Sequence, residues 1–258
     1  MKDLTKLIFI GTGSGKTSLN RFHSSFLIDH LNFRLLVDAG DSVSRALLKS
    51  EVEINSINGI IISHFHPDHI CGLPSLLLQM KMLKRNAPVK IILHKSLFED
   101  LNRLLVKTYV IPDRLNFELD YIKYDFNTEI EVNKNLKIRA LKNTHLDKYE
   151  YFVKSEKISL ASSSFIFTIN SKTIYYSGDV GNENDLDLPD ELKINIFVGE
   201  TTHCTPEAVV KTAEGYKSDI VIFTHISPET EPGLTEYVQN HIGKPAILKA
   251  FDGMELAL

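Results

Sequence analysis

Residues 59 to 79, "GIIISHFHPDHICGLPSLLLQ", join an apolar run to a cluster of polar side chains. The run has the composition of a buried strand, and before a helical pattern begins it is followed by His64, His66, Asp68 and His69. In an extended backbone the first two histidines point to the same side, and the turn at Pro67 directs the other two ligands toward a neighbouring position. Imidazole and carboxylate groups at this spacing predict two adjacent metal ions.

Four side chains cannot complete two metal sites, so further ligands are expected elsewhere in the chain. Three candidates each follow an apolar run, where loops gather at one edge of a sheet: His145, Asp179 and His225. Their repeated position after a strand favours ligands over isolated structural residues. The sequence therefore predicts that seven side chains from distant segments converge on a pair of cations.

Residues 6 to 18, "KLIFIGTGSGKTS", resemble a phosphate-binding loop but fail its spacing. The P-loop requires a glycine where Ile10 stands, because the loop must have a fixed size to wrap phosphates with its N–H groups. A dinucleotide fingerprint would need a third glycine at Lys16. This segment is predicted to be a strand that ends in a flexible glycine loop.

Composition restricts the class of protein. The 258 residues are 43% hydrophobic and carry a formal net charge of −4, which gives no overall attraction to DNA or an anionic membrane. The N-terminal apolar segment is too short for a secretion signal, so a cytoplasmic protein is expected.

Cys71 and Cys204 are expected to pack as small apolar residues in a reducing compartment. Without linkers or repeats, residues 1 to 258 are predicted to form one domain, with a homodimer as an expected assembly.

Strand-like runs dominate, and helical patterns lie between some of them. The helices are predicted near 73 to 83, 97 to 105, 205 to 215 and 233 to 241. The strands are predicted at 6–10, 24–29, 33–38, 59–63, 89–94, 136–141, 164–169, 172–177, 194–198 and 219–224. Hairpins mixed with strand–helix units predict an α/β fold in which two sheets pack face to face with helices outside, an αββα sandwich.

These motifs together resemble the metallo-β-lactamase-fold hydrolases over essentially the whole length. The matching segments are "LLVDAG" with Asp38, "HFHPDH", His145, "YYSGDV" with Asp179, and "FTHIS" with His225. The resemblance implies that His64, His66 and His145 bind one metal, that Asp68, His69 and His225 bind the second, and that Asp179 bridges them. Zinc is the favoured ion for both sites, with manganese or iron as alternatives. Asp38 is either a residue that orients the histidine loop or a plain turn aspartate.

The segment "VGETTHCTPEAVV" resembles ribonuclease Z and related phosphodiesterases. The resemblance implies that His203 is the general acid for a leaving alcohol and that Glu200 orients it. It also implies that Asp68 orients or deprotonates the nucleophile, which becomes a metal-bridged hydroxide. A long RNA-gripping arm has no room in the 33 residues between His145 and Asp179. The end "AFDGMELAL" instead resembles small phosphoribosyl cyclic phosphodiesterases, whose cysteine-rich zinc site is absent.

The leading hypothesis is a dinuclear-metal phosphodiesterase that acts on a small cyclic or nucleotide-derived diester. A ribonuclease Z-type enzyme that processes the 3′ end of tRNA is the second hypothesis, with RNA as its partner. Another hydrolase of the fold, such as a lactonase or thioesterase, would use the same metal ligands on a carbonyl substrate.

Overall fold

The computed structural model describes residues 5–189 and 192–258. By their internal contacts these residues form two compact units. The first unit ends at Lys123 and also includes Phe251–Leu258, and the second unit is Tyr124–Ala250. The prediction of one domain over residues 1 to 258 stays a prediction, and residues 1–4, 190 and 191 lie outside the described part.

Fourteen strands and seven α-helices are found in the described residues. The strands are β1 (Lys6–Gly11), β2 (Ser25–His30), β3 (Phe33–Val37), β4 (Gly59–Ile61), β5 (Val89–His94), β6 (Leu119–Tyr124), β7 (Glu129–Asn133), β8 (Leu136–Lys142), β9 (Ser163–Ile169), β10 (Lys172–Tyr176), β11 (Ile196–Glu200), β12 (Ile220–Thr224), β13 (Ala246–Lys249) and β14 (Glu255–Ala257). The helices are α1 (Val43–Lys49), α2 (Pro67–Ile70), α3 (Leu73–Met82), α4 (Phe98–Lys107), α5 (Val153–Glu156), α6 (Pro206–Gly215) and α7 (Glu231–Asn240).

The first unit contains a seven-stranded mixed sheet in the order β14-β1-β2-β3-β4-β5-β6. Strands β14 to β3 pair antiparallel, whereas β3, β4 and β5 are parallel. Ile60 and Ile61 of β4 are fully buried, because a parallel central strand is covered on both faces. The carboxyl ends of the parallel strands are where the histidine-rich turn begins.

The second unit repeats this design with a mixed sheet in the order β13-β12-β11-β10-β9-β8-β7. Strands β7 to β10 pair antiparallel, and β10 to β13 are parallel. Its core contains Tyr175, Phe197 and Phe223, all with no exposed surface, packed against α6 and α7. The ends of β10, β11 and β12 lead into the loops that carry the polar residues of this unit.

Every predicted strand and helix is present, with ends that shift by up to two residues. The helix predicted at 233 to 241 begins earlier, at Glu231, and α4 extends to Lys107. Strands β6, β7, β13 and β14 and helices α1, α2 and α5 were not predicted, because they are short or mostly exposed and give weak apolar periodicity. In the described part of the chain, the longest helices have ten residues, and none combines the length and apolar character needed to cross a membrane.

Candidate metal-binding and catalytic residues

The histidine-rich turn of the first unit brings four predicted ligands together. The chain leaves β4, turns at Pro67 and enters the short helix α2, whose first residue is that proline. The ring of His64 lies 4.8 Å from the ring of His66 and 4.2 Å from the ring of His69, measured between centroids. Asp68 Oδ2 lies 3.4 Å from His69 Nε2. His64, Asp68 and His69 are buried, so their donor atoms form a compact polar cluster inside apolar surroundings.

Asp38 contacts this turn through its buried carboxylate. It is fully buried and has a left-handed backbone, with a φ of 60°. The N–H and the hydroxyl of Ser63 donate to its two carboxylate oxygens over 2.7 and 2.9 Å, and His69 Nδ1 lies 2.8 Å from Oδ2. Because Nδ1 of His69 is engaged, Nε2 remains as the ring atom for a metal ion. Of the two interpretations of Asp38, the contacts favour the orienting residue.

Ser63 contacts the predicted site, and the sequence interpretation missed it. Its hydroxyl lies 3.0 Å from His64 Nδ1 and 2.9 Å from Asp38 Oδ2. One side chain therefore contacts both the orienting carboxylate and a predicted ligand. The only sequence signal was its position directly before His64. This contact leaves Nε2 of His64 as the ring atom available for a metal ion.

The glycine loop after β1 passes close to Asp68. A Cβ atom built on Gly15 would lie 3.2 Å from Asp68 Oδ2, so the loop backbone approaches this carboxylate closely. The loop is held by other parts of the first unit: Gly13 N–H donates to Phe22 C=O over 2.8 Å. Within the first unit, the backbone of the glycine loop therefore lies against the predicted ligand Asp68.

The second unit brings together the other three predicted ligands. His145, Asp179 and His225 follow β8, β10 and β12, and all are buried. Asp179 Oδ2 lies 3.7 Å from His145 Nε2 and 3.3 Å from His225 Nε2. His145 Nδ1 is 3.2 Å from the carbonyl of Val180, so the same ring atom, Nε2, again remains for a metal ion.

Glu200 anchors the predicted general acid. It lies fully buried at the end of β11, and its carboxylate accepts hydrogen bonds from the N–H groups of Val180, Thr202 and His203 over 2.8 to 3.0 Å. His203 Nδ1 lies 2.7 Å from Oε1 of the same carboxylate. Burial raises the pKa of Glu200, but the hydrogen bond from His203 and the nearby ring of His225, whose Nδ1 lies 3.7 Å from Oε2, outweigh it and hold this pKa at about 2. The glutamate is therefore an anion that contacts the ring of His203, the position in which the resemblance implies an orienting residue.

The ring of His203 lies beside two predicted metal ligands. Its centroid is 4.7 Å from that of His145 and 5.9 Å from that of His225. Donor atoms of Glu200, His203 and His225 also lie within 4.8 Å of one another. The carboxylate of Glu200 already accepts four hydrogen bonds, from Val180, Thr202 and His203.

The two cysteines differ from each other. Cys204 is buried and its thiol donates to the carbonyl of Glu200 over 3.2 Å, and burial raises the pKa of this thiol well above its usual range. Cys71 is exposed, which differs from the expectation that it packs in the interior. Partial burial of its thiol and the negative charges of Asp41 and Asp68 raise its pKa, so it is a poor nucleophile at neutral pH.

The donor chemistry fits divalent metal ions. Each unit presents buried imidazole nitrogens next to a carboxylate, and the second nitrogen of His64, His69 and His145 is held by a hydroxyl, a carboxylate or a carbonyl. Such partners fix the orientation of the rings and increase their basicity, which is the usual environment of metal-binding histidines. These His/Asp clusters are suited to divalent metal binding.

Comparison with known proteins identifies the family. The family described as "Anti-Pycsar protein Apyc1" matches residues 5–212. The Apyc1 protein of Bacillus phage vB_BveM-Goe7 is 32% identical over 145 residues, which are 56% of this chain and 51% of the phage protein. A ribonuclease Z of Metallosphaera sedula is 27% identical over 155 residues, or 60% of this chain and 50% of the relative. The matched region thus spans about half the length of these curated relatives.

A solved structure shows the fold. The metallo-β-lactamase fold protein YhfI from Bacillus subtilis superimposes with a TM-score of 0.78 at 19% identity, covering 99% of this chain and 100% of that protein. The predicted α/β class, the metallo-β-lactamase fold and the resemblance to ribonuclease Z are confirmed. With a match that extends over most of its length, the chain belongs to the Anti-Pycsar protein Apyc1 family.

Proposed function

We propose that this chain is a dinuclear-metal phosphodiesterase that hydrolyses a small cyclic or nucleotide-derived phosphodiester. The observation that carries the proposal is the 2.7 Å contact between buried Glu200 and His203 Nδ1, beside the predicted ligands His145 and His225. A carbonyl substrate with a stabilised leaving group would not require such an anchored proton donor. Family membership and the names of the relatives support a phosphodiester over a lactone or thioester.

We also propose that the donor clusters of both units serve one pair of ions. His64, His66 and His145 would hold one ion, Asp68, His69 and His225 the second, and Asp179 both. The incomplete ligand set of each unit taken alone supports this assignment, because a pair of ions needs about three protein ligands for each metal. Zinc is the expected ion. When bound, the ions would lower the pKa of a shared water and stabilise the negative charge on the phosphoryl oxygens.

Two side chains of the chain would handle the protons of the reaction. Asp68, held by the turn that begins at Pro67, would orient the attacking water and accept its proton. His203, with Nδ1 fixed by an ionised glutamate, would keep a proton on Nε2 and donate it to the leaving oxygen. Because Glu200 carries its negative charge down to a pH of about 2, it remains an ionised hydrogen-bond acceptor for His203 Nδ1 throughout the neutral range.

The proposal predicts a dependence on the leaving group. The His203→Ala variant should hydrolyse bis(p-nitrophenyl) phosphate nearly as fast as the parent, because p-nitrophenolate leaves without protonation. With a diester that expels an alkoxide, kcat should fall by roughly 10² to 10⁴-fold. Rates on both substrates, with zinc content measured on the same preparations, check this result.

His241→Ala is the matched control. This histidine also lies in the second unit, its Nε2 is 3.2 Å from the carbonyl oxygen of Pro245, and it belongs to none of the His/Asp clusters among the described residues. It should hydrolyse both substrates like the parent. An equal loss on both substrates with His203→Ala, or full activity on the alkoxide diester, would remove His203 from the role of general acid.

A tRNA 3′-processing endoribonuclease is the second candidate, and the ribonuclease Z relatives favour it. Between His145 and Asp179, however, the 33 residues form short helical turns, α5, β9 and β10, and this stretch leaves no room for a long RNA-gripping arm. Cleavage of a precursor tRNA beside a panel of cyclic nucleotides separates the candidates. Faster turnover of the tRNA would favour the endoribonuclease and would make RNA the partner.

A further inference from the structure

A single helical turn, Glu183–Leu186, follows the Asp179 loop at the surface of the second unit. Its last residue, Leu186, is fully buried in the core of this unit. The hydroxyl of Tyr175 donates to the carbonyl of Asp185 over 3.4 Å. These contacts fix the backbone of the turn from the interior, so the side chain of Asp185 starts from a rigid support.

One carboxylate oxygen of Asp185 joins two loops that carry predicted metal ligands. Oδ2 accepts hydrogen bonds from the N–H and the hydroxyl of Thr144 over 3.0 and 2.8 Å, and from the N–H of Gly181 over 2.7 Å. Thr144 directly precedes His145, and Gly181 comes two residues after Asp179. Hydrogen bonds to a charged acceptor are stronger than those between neutral groups, so the three together hold the loops firmly.

The same two loops touch directly at Gly181. A Cβ atom at this glycine would lie 2.7 Å from the carbonyl carbon of Thr144 and 2.8 Å from its oxygen. The loops therefore approach as closely as their backbones permit, and a larger residue would push Thr144 away from Asp185. The arrangement requires both the glycine and the shared carboxylate.

A second set of hydrogen bonds joins these loops from the interior. The side chain of Asn143 is buried, accepts from the N–H of His145 over 3.3 Å and donates to the Ser164 hydroxyl over 3.2 Å. Ser164 in turn donates to the carbonyl of Ser177, two residues before Asp179, over 2.6 Å. The loop of His145 is thus tied to the loop of Asp179 on its buried side as well as at the surface turn.

The contacts of Asp185 bear on the distance between two predicted ligand atoms. His145 Nε2 and Asp179 Oδ2 lie 3.7 Å apart, and two ligand atoms of a tetrahedral zinc ion are about 3.3 Å apart when its bonds are about 2.0 Å long. We propose that Asp185 is a positioning residue that holds these two atoms at a separation at which one ion binds both. The inference rests on the proposed function, which assigns His145 and Asp179 to the same ion. Because ligands that are ordered in advance lose less freedom on binding, Asp185 increases the metal affinity.

Cobalt(II) is the probe for the test, because its visible absorption bands respond to the geometry of its ligands. The metal-free chain is titrated with cobalt(II), and affinity and bands are recorded without any need for turnover. Asp185→Ala should weaken the affinity at least about tenfold and shift the bands. Asp187→Ala is the matched control, because this exposed aspartate lies two residues later and takes no part in the bonds to Thr144 and Gly181. It should bind cobalt like the parent.

Two further measurements separate positioning from a general loss of stability. Asp185→Asn should retain most of the affinity, because its amide oxygen can still accept the three hydrogen bonds, although each is weaker without the charge. In the metal-free Asp185→Ala chain, the N–H groups of Thr144 and Gly181 should lose their protection against hydrogen exchange. The N–H group of His203, which donates to Glu200, should exchange at the parent rate.

The outcomes separate this inference from the proposed function. Parent affinity and unshifted bands in Asp185→Ala, or equal acceleration of exchange at Thr144 and His203, would refute the positioning role and leave the phosphodiesterase intact. A parent chain that binds cobalt and responds to Asp185→Ala as expected, but hydrolyses no phosphodiester, would refute the proposed function and keep Asp185 as the residue that positions the ligands. A parent chain that binds no cobalt would refute both.

Discussion

Asp38 links three parts of the histidine-rich turn through one buried carboxylate. Its oxygens receive the N–H and the hydroxyl of Ser63 and face His69 Nδ1. A carboxylate can accept from all three donors at once, which no other side chain of this size can do. Since Nδ1 of the histidine is occupied, the ring is turned so that Nε2 joins the predicted ligands.

Asp38→Asn should therefore lower both stability and metal affinity. The amide would place an N–H group against a donor of Ser63, and the lost hydrogen bond should reduce the free energy of unfolding by about 1 to 3 kcal/mol. Urea denaturation and zinc competition with a chelator measure the two effects. Asp41→Asn, at an exposed position three residues later, is the control and should change neither value. Normal zinc affinity of Asp38→Asn would show that Asp38 does not orient the turn.

At the scale of elements, two glycines allow α1 and α3 to begin close together. A Cβ atom at Gly72 would lie 2.1 Å from the carbonyl oxygen of Gly40 and 2.8 Å from a methyl group of Val43. Such distances are shorter than any real contact, so only glycine fits there. This contact lies directly after α2 and therefore fixes the path of the turn that carries Asp68 and His69.

Gly72→Ala should force these elements apart. We expect a loss of about 1 to 3 kcal/mol in the free energy of unfolding, because the backbone of the Gly40 loop cannot yield like a flexible side chain. Gly215→Ala is the control, since its Cβ atom would meet nothing within 4 Å, and it should be neutral or slightly stabilising. Chemical denaturation of both variants measures the difference; similar midpoints would refute the tight packing at Gly72.

At the scale of the whole molecule, the C-terminal segment returns to complete the first unit. Strand β14 pairs with β1, and Asp252 accepts hydrogen bonds from the N–H and hydroxyl of Thr12 and from the N–H of Phe22 over 2.7 to 3.0 Å. Arg21 donates to the hydroxyl of the same threonine. A segment some 240 residues away thus holds the glycine loop that passes Asp68.

Asp252→Ala should loosen that loop. Two backbone N–H groups lose a charged acceptor, so we expect a loss of about 2 kcal/mol or more in the free energy of unfolding. Hydrogen exchange at Thr12 and Phe22 should accelerate more than exchange in β11 and β12 of the second unit. Asp113→Ala, at an exposed position of the first unit, should leave both unchanged. Uniform acceleration in both units would contradict a local role for Asp252.

A double-mutant cycle tests whether the two units share one metal centre. We expect His69→Ala and His225→Ala to lower kcat/KM by similar factors, and the double variant to lose little more than either single variant, because residues that act as a unit are not additive. Zinc per chain, measured on the same samples, should fall in both single variants. Additive losses, or a zinc content that responds in only one variant, would show that the two clusters bind ions independently.

The predicted ligand residues and much of the secondary structure followed from the sequence alone. Local spacing largely determines which side chains share a strand face or a loop. The predictions used such local properties: the alternation of His64 and His66, the turn at Pro67, and the position of His145, Asp179 and His225 after apolar runs. Strands β6, β7, β13 and β14 escaped prediction because their apolar pattern is short, and pairing with a neighbouring strand of the sheet stabilises them.

Only the tertiary structure decided which atoms of those residues are available and what surrounds them. His69 meets Asp38 from 31 positions away, His145 meets the carbonyl of Val180 from 35, and Thr12 meets Asp252 from 240. No periodicity encodes these contacts, because they arise when separate strands end at the same edge of a sheet. The hydrogen bonds from Thr144 to Asp185, 41 positions away, have the same origin, since these residues follow β8 and β10 of one sheet.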